Sequence, residues 1–358
     1  MKKLSFGVLF FFVVTACQIE GNKCDDLDVV FSQEVKLGEG VSILLNGFHQ
    51  GYPDHIFQDS LLCSEIMNSE FSYSIYNLNN GNLVALFGKN GNGPEEFLNI
   101  RTINPEENGD ELFMLDGVRD DVFTFKVDSL VHSTPHPTVL GRFNADSVGN
   151  FTMAAISEDS TLLTVGFLPQ GAYCLYNWKS GRAVKYIGQY PDIENNEHKS
   201  NRQQGQVYQS LLKRQPLGGG FVNAYCTAGG IEFLSSEKGE IAIVKSYLFH
   251  TPKFMPVAEE GHTVSVFLPE NRLGFRSLAC NHKKVFALYS GRSKKADGVG
   301  KMFNGRDIYV FDWVGNPIKH LVLERDAQSI VADNYGKYLY ILYVSPDYSL
   351  ERYSIDQL

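Results

Sequence analysis

The chain has 358 residues, 43% of them hydrophobic, 13% aromatic and 20% charged, with a formal charge of −9. An acidic chain with no basic stripe argues against nucleic acid as a partner, because phosphates must be neutralised by lysine or arginine. The length exceeds the usual single domain, but all-β barrels and propellers run long as one unit.

The first residues read as a leader rather than as part of the fold. Lys2 and Lys3 form a basic start, and Leu4 to Val14 is an apolar run too short to span a bilayer. The run ends in "VTAC", Val14 to Cys17. This resembles the bacterial lipobox, in which small residues fit beside the scissile bond and the cysteine thiol carries a diacylglycerol. The alternative is an ordinary secretory signal with a chance cysteine. The expected division is a signal peptide over 1–16, a tether over 17–28 and one β-propeller domain over 29–358. Several acyl chains on Cys17 would anchor the protein stably, where one chain would not. Loss of Lys2 and Lys3 takes the formal charge from −9 to −11. Gln18 follows the cysteine, with no aspartate there to suggest inner-membrane retention. "KCDD", Lys23 to Asp26, resembles a surface-export signal but lies further from Cys17 than expected.

Beyond the leader the sequence is a series of short β-rich runs separated by turn clusters, with few helix signals. "FSYSIYNL" is followed by "NNG" and "NLVALFG", two strands joined by an Asn-Gly turn where glycine supplies positive φ. Strand pairs recur at "ELFMLDG" with "DVFTFKVD", at "STLLTVGF" with "AYCLYNW", at "GFVNAYC" with "GIEFLSS", and at "KKVFALYSG" with "RDIYVFDW". "KYLYILYV" and "SLERYSI" close the chain. Many strands are apolar on both faces, as in sheets buried on both sides.

A repeat of strand, turn, strand, short glycine turn and strand, with a period of tens of residues, predicts a solenoid or propeller. Six units are expected, over 54–92, 93–144, 150–192, 213–256, 272–325 and 327–358. The last lacks a strand. Val29 to Leu45 is expected to join it near Ser349–Ile355 and close the ring, covering an edge that would otherwise invite aggregation. The rival architecture, a pair of β-sandwiches, would need a linker near mid-chain. The polar stretch from Glu194 to Gln209 is the only candidate and reads as an insertion.

"FGKNGNGPEEF", Phe87 to Phe97, raises the question of a phosphate loop. A Walker loop needs Gly-Lys-Ser/Thr opening a helix. Here Asn90 follows Gly88-Lys89, no helix pattern follows, and Glu95 and Glu96 would repel a phosphate. The stretch instead resembles the glycine-rich crossover of NHL-type propellers, and its Gly-Pro-Glu-Glu-Phe form resembles the TolB-like six-bladed propeller lipoproteins common in gut Bacteroidetes. "VFALYSGR" and "GNPIKHLVLE" with "YLYIL" are further matching pieces. The resemblance implies an all-β, six-bladed β-propeller and an envelope address, outer-membrane lipoprotein on the periplasmic or external side, but no assigned activity. In one departure, Asp121 stands where the NHL pattern places an arginine, just before the third strand.

Cys63, Cys174, Cys226 and Cys280 each lie in an apolar run and are expected to be small core residues. No CxxC or HxxxH spacing marks a metal site, and no cofactor is expected. "HQGYPDHIF" offers His49, Asp54 and His55, read as a polar loop leading into the first blade, since the other inner strands offer no matching ligands. Two long insertions carry the charge of interest: "SGRSKKADGVGKMFNGR", Ser290 to Arg306, and "ENNEHKSNRQQGQ", Glu194 to Gln206. Arg276 stands where an inner strand should begin, either orienting a ligand carboxylate or salt-bridged to an acidic neighbour. Arg202, Arg276, Arg292 and Lys295 are the candidate ligand-binding residues. The insertions are expected on one rim, and reversing Arg292 and Lys295 is expected to leave stability nearly unchanged. Asp59, Asp128, Asp146 and Asp159 each precede a serine and an apolar or hydroxyl residue, a short pattern that resembles an envelope O-glycosylation acceptor.

The function expected is a binding or scaffolding module held to the membrane by a lipid anchor, with a protein or glycan partner at the loop rim. The alternative is a hydrolase or lyase working at the channel mouth.

Overall fold

A computed structural model describes residues 22–23, 31 and 33–355, apart from 49–50, 104–109, 133–134, 159, 192–199, 238, 260–261 and 345–346. Cys17, Cys24, His49, His198 and Asp159 lie outside the described residues.

Three short strands come first: β1 (Asn22–Lys23), β2 (Glu34–Leu37) and β3 (Val41–Ile43). Six units then follow in chain order, the first five of four strands and the last of three, to which β3 adds a fourth. The first holds β4 (Gly51–Phe57), β5 (Leu61–Ile66), β6 (Phe71–Asn77) and β7 (Leu83–Lys89). The second holds β8 (Ile100–Ile103), β9 (Glu111–Asp116), β10 (Asp121–Lys126) and β11 (Thr138–Arg142). The third holds β12 (Asn150–Glu158), β13 (Thr161–Phe167), β14 (Tyr173–Asn177) and β15 (Arg182–Ile187). The fourth holds β16 (Ser210–Arg214), β17 (Gly220–Tyr225), β18 (Gly229–Glu237) and β19 (Glu240–His250). A hairpin, β20 (Phe254–Glu259) and β21 (His262–Phe267), separates it from the fifth, which holds β22 (Phe275–Cys280), β23 (Lys284–Tyr289), β24 (Gly305–Asp312) and the first half of β25 (Pro317–Ala332). The second half of β25 opens the sixth, followed by β26 (Tyr338–Tyr343) and β27 (Ser349–Ser354).

Within each unit neighbouring strands pair antiparallel, and the first strand lies innermost. The inner strands touch in the order β8, β12, β16, β22, β25, β4, so the units stand around one axis as a six-bladed β-propeller. The blade boundaries fall within a few residues of those expected. The N-terminal segment differs from the expectation in a useful way. Only β3 pairs with the last blade, Ile43 opposite Leu350 and Val41 opposite Arg352. The preceding β2 runs parallel to β25 on the fifth blade, and β1 runs parallel to β19 on the fourth. The segment therefore lies along the outer edges of three consecutive blades.

Sequence-local chemistry repeats at the turns between third and fourth strands. Asn77 accepts a hydrogen bond from the Asn79 amide, Asn177 from that of Ser180, and Asp312 from those of Val314 and Asn316. Side chains of this length fold back on their own backbone and fix the turn. The next residue in each, Leu78, Trp178 or Trp313, is buried against the blade core. Helices are few and short: α1 (Val127–His132), α2 (Ala145–Val148), α3 (Asn201–Val207), α4 (Lys294–Asp297) and α5 (Val299–Met302). The polar insertion is thus partly helical, with Ser200 and Gln203 capping α3 reciprocally.

The stretch from Phe87 to Phe97 is a crossover between blades. Gly88 and Gly91 hold positive φ, 69° and 154°, and the Phe97 amide returns to the Lys89 carbonyl at 2.9 Å. Lys89 pairs with Glu96 at 3.0 Å, which occupies the lysine that a phosphate loop would need. Arg119, two residues ahead of Asp121, donates to the carbonyls of Gly91 and Gly93. Arg119 thus ties the turn before β10 to the glycine-rich crossover. Asp121 itself binds Arg142 at 2.7 Å.

The four described cysteines are free. Cys63 and Cys174 are fully buried, whereas Cys226 and Cys280 are half-buried. Burial pushes the thiols of Cys174 and Cys280 up to about 12, which makes them packing groups rather than nucleophiles.

Candidate functional site in the central channel

In an antiparallel blade, the connections from one blade to the next and those between second and third strands emerge on one rim. The inner strands run from that rim to the other. Residues along these strands line an upper chamber of about 310 Å³, and every blade contributes: Asp54, Arg101, Met153, Lys213, Arg276 and Gln328. A smaller cavity of about 80 Å³ lies toward the opposite rim, lined by His55, Gln215, Cys280 and Tyr335 among others.

Asp54 and Lys213 border both cavities. They come from the first and fourth blades, which face each other across a six-membered ring. Lys213 Nζ reaches Asp54 Oδ1 at 3.0 Å, and both side chains are largely shielded from solvent. This ion pair spans the channel and forms the floor of the upper chamber. A pair of this kind holds two inner strands together, but its main structural consequence is to divide the channel.

The stretch read as a polar loop at His55 is in fact β4, an inner strand. The reason is its alternation: Gly51, Pro53, Ile56 and Phe57 are buried, while Tyr52, Asp54 and His55 are half-buried. Three polar residues close together imitate a loop in sequence, yet in a channel wall they face a polar interior. His55 Nδ1 lies 3.1 Å from Asp54 Oδ2, and its Nε2 is buried with no hydrogen-bond partner among the described residues.

The chamber wall is charged. Arg101 pairs with Glu65 at 2.9 Å, linking the first two blades. Burial holds the Glu65 carboxyl above its ordinary range, despite the arginine. Tyr52 accepts a hydrogen bond from Gln328 Nε2 at 3.0 Å, and burial raises its phenol. Arg276 begins β22 as expected, but it has no ion pair among the described residues. Its guanidinium lies 5.2 Å from the ring centroid of Phe303, and its Nε donates to the Phe303 carbonyl at 3.3 Å. The expected salt bridge is replaced by an aromatic platform, which holds the cation without neutralising it.

The other candidates lie outside the chamber lining. Arg202 donates to the carbonyls of Ala145 and Asp146. Lys295 pairs with Glu270 at 2.7 Å on the surface. Arg292 makes a two-pronged contact with Asp326, 2.8 Å at each oxygen, and Arg306 adds a third bond at 2.5 Å. These bonds pin the basic insertion to the start of the sixth blade. The residue by which that insertion enters the chamber is Phe303, which charge-based reasoning passed over. Both insertions do stand on one rim: α3 meets the β20–β21 hairpin through Gln203 and Thr263, and Lys295 reaches Glu270 just beyond it.

The expectation that Arg292 can be reversed harmlessly is therefore corrected. Arg292→Glu sets a second carboxylate against Asp326, whose carboxyl the two arginines hold down at about 2. After a discount for partial exposure, the expected loss is about 2 kcal/mol at neutral pH. The pair's contribution is present above the ordinary aspartate range and is lost as pH falls toward 2, because a depressed carboxyl must be protonated. Denaturant melts at pH 7 and pH 3 test this: the gap between wild type and variant should narrow in acid. Lys295→Glu, on an exposed pair, is expected to cost under about 1 kcal/mol.

Residues 32–335 match the TolB-like 6-blade propeller-like family, and the chain belongs to it. Among solved structures, a member of the DUF4221 family from Bacteroides vulgatus is similar, with 8% sequence identity and a TM-score of 0.54, over 88% of this chain and 97% of its own. The β-propeller domain of Swd1 from Myceliophteria thermophila aligns with 11% identity and a TM-score of 0.43, over 90% of this chain and 98% of its own. At these identities the likeness is one of fold. No curated protein matches the sequence.

Proposed function

We propose that this TolB-like propeller is a binding module of the cell envelope, anchored by lipid on Cys17, that receives its ligand in the upper chamber of the channel. The observation that carries the reading is the chamber itself. It is walled by all six blades, closed beneath by Lys213 and Asp54, and open at the rim that bears both insertions. Concave sites with a few convergent polar groups on an apolar wall are where proteins hold small ligands. The ligand is a small molecule or a protruding group of a protein or glycan partner.

The anchor and the address rest on "VTAC" and the apolar run before it. Cys17→Ala should leave the protein unprocessed or move it from the detergent phase to the aqueous phase; unchanged partition would remove the anchor from the proposal. For binding, a thermal-shift screen against glycans, peptides and metals should return a ligand that raises the melting temperature, since a ligand bound only to the native state stabilises it.

A second reading, a hydrolase or lyase at the channel, draws on the Asp54–His55 contact. An aspartate that orients a histidine and leaves its Nε2 without a partner is an arrangement for proton transfer. His55, however, borders the smaller cavity below the ion pair, where there is little room for a substrate.

A further inference from the structure

The chamber's charges point to a particular class of ligand, an inference that rests on the binding reading above. Three cations line it, Arg101, Lys213 and Arg276, against two carboxylates, Asp54 and Glu65. Lys213 is committed to Asp54 and Arg101 to Glu65. Arg276 is the cation left over. The nearby loop cations offer no further supply, since Asp326 holds Arg292 and Glu270 holds Lys295.

One surplus charge matches a monoanion. A phosphate or sulfate dianion would lie within the same small volume as Asp54 and Glu65, whose repulsion one arginine does not offset. A carboxylate also suits the geometry of the group: the Phe303 carbonyl holds the Arg276 Nε at 3.3 Å, the two Nη groups make no other bond among the described residues, and a planar carboxylate accepts two parallel bonds from such a fork. The remaining wall is mixed. Met153, Leu211 and Leu278 offer apolar contact, while Tyr52 and Gln328 offer hydrogen bonds. A volume of about 310 Å³ is at the small end of ligand sites, room for a single ring or a short chain.

We propose that the upper chamber is a carboxylate site, in which Arg276, steadied by Phe303, takes the acid group of a small organic acid whose body lies along Met153 and Leu211 above the Lys213–Asp54 floor.

The test is calorimetric titration of the full mature chain with three acids and their neutral counterparts: glucuronate with glucose, benzoate with benzamide, and hexanoate with hexanamide, with inorganic phosphate alongside. At least one acid should bind at least tenfold more tightly than its neutral counterpart and than phosphate. Arg276→Gln should weaken that acid by tenfold or more, with its melting temperature close to that of wild type. Should Arg276→Gln fail to fold, Phe303→Ala keeps the arginine but removes its platform, and a several-fold loss is expected there. The proposal is overturned if no acid binds, if neutral counterparts or phosphate bind as well, or if neither substitution weakens the acid. A neutral compound whose binding is lost when the chamber is filled by Met153→Trp would refute the carboxylate assignment and leave the binding function standing.

Discussion

Deleting residues 29–45 is expected to abolish a single cooperative unfolding transition, or to lower its midpoint by on the order of 10 °C. The segment precedes the first blade in sequence, yet it serves the blades at the other end of the chain. In the fold it buries Phe31 against Tyr309 and Phe311, with ring centroids 5.0 and 5.2 Å away. It also buries Leu37 in the core between the fifth and sixth blades and Leu45 in the core shared by the sixth and the first. Burying each such side chain contributes about 1.5–3 kcal/mol, so the loss is on the order of 5 kcal/mol before any edge effect. That is a large part of a typical domain's stability. Removal of β3 also bares the edge of β27, which then invites association. Calorimetry of the truncated chain checks both effects, and an unchanged melting curve would show that the last blade does not depend on this segment.

Phe97→Ala should cost about 3–5 kcal/mol, the usual penalty for emptying a buried aromatic site. Phe97 is the last residue of the glycine-rich crossover. Its ring stacks on Phe123 at 4.6 Å and meets Phe125 edge-on at 6.1 Å, inside the core between the first two blades. The crossover fixes where the second blade begins, so the cavity would loosen the joint as well as the core. Urea denaturation should show a lower midpoint with an unchanged slope. A loss under 1 kcal/mol would mean that the crossover does not organise the junction.

The fold was legible because its signals are local and repeated. Glycine turns, apolar runs and the Gly-Pro-Glu-Glu-Phe crossover each place a strand or a junction, and six repetitions place a ring. What escaped was set by partners distant in sequence. Arg119 reaches back to Gly91 and Gly93, and no spacing rule marks it. Lys213 lies 159 residues from Asp54, so a bridge across the channel emerges only once the ring is built. Charge drew attention to Arg292 and Lys295, but on an acidic chain a cation in a loop readily finds a carboxylate. Arg276 was legible because its position at the start of an inner strand follows from the repeat. Phe303 was not, because an aromatic residue at the end of a basic loop carries no signal of its own.

The central claim is that ligand enters the upper chamber, and filling that chamber tests it most directly. Met153→Trp introduces a bulky ring among residues that leave room for it, at a cost that overpacking usually keeps to about 1–3 kcal/mol. The measurement is the melting-temperature shift for every compound that stabilises wild type, repeated on the variant. Loss of those shifts in a protein that still unfolds cooperatively is the predicted result; full retention of them would contradict the account.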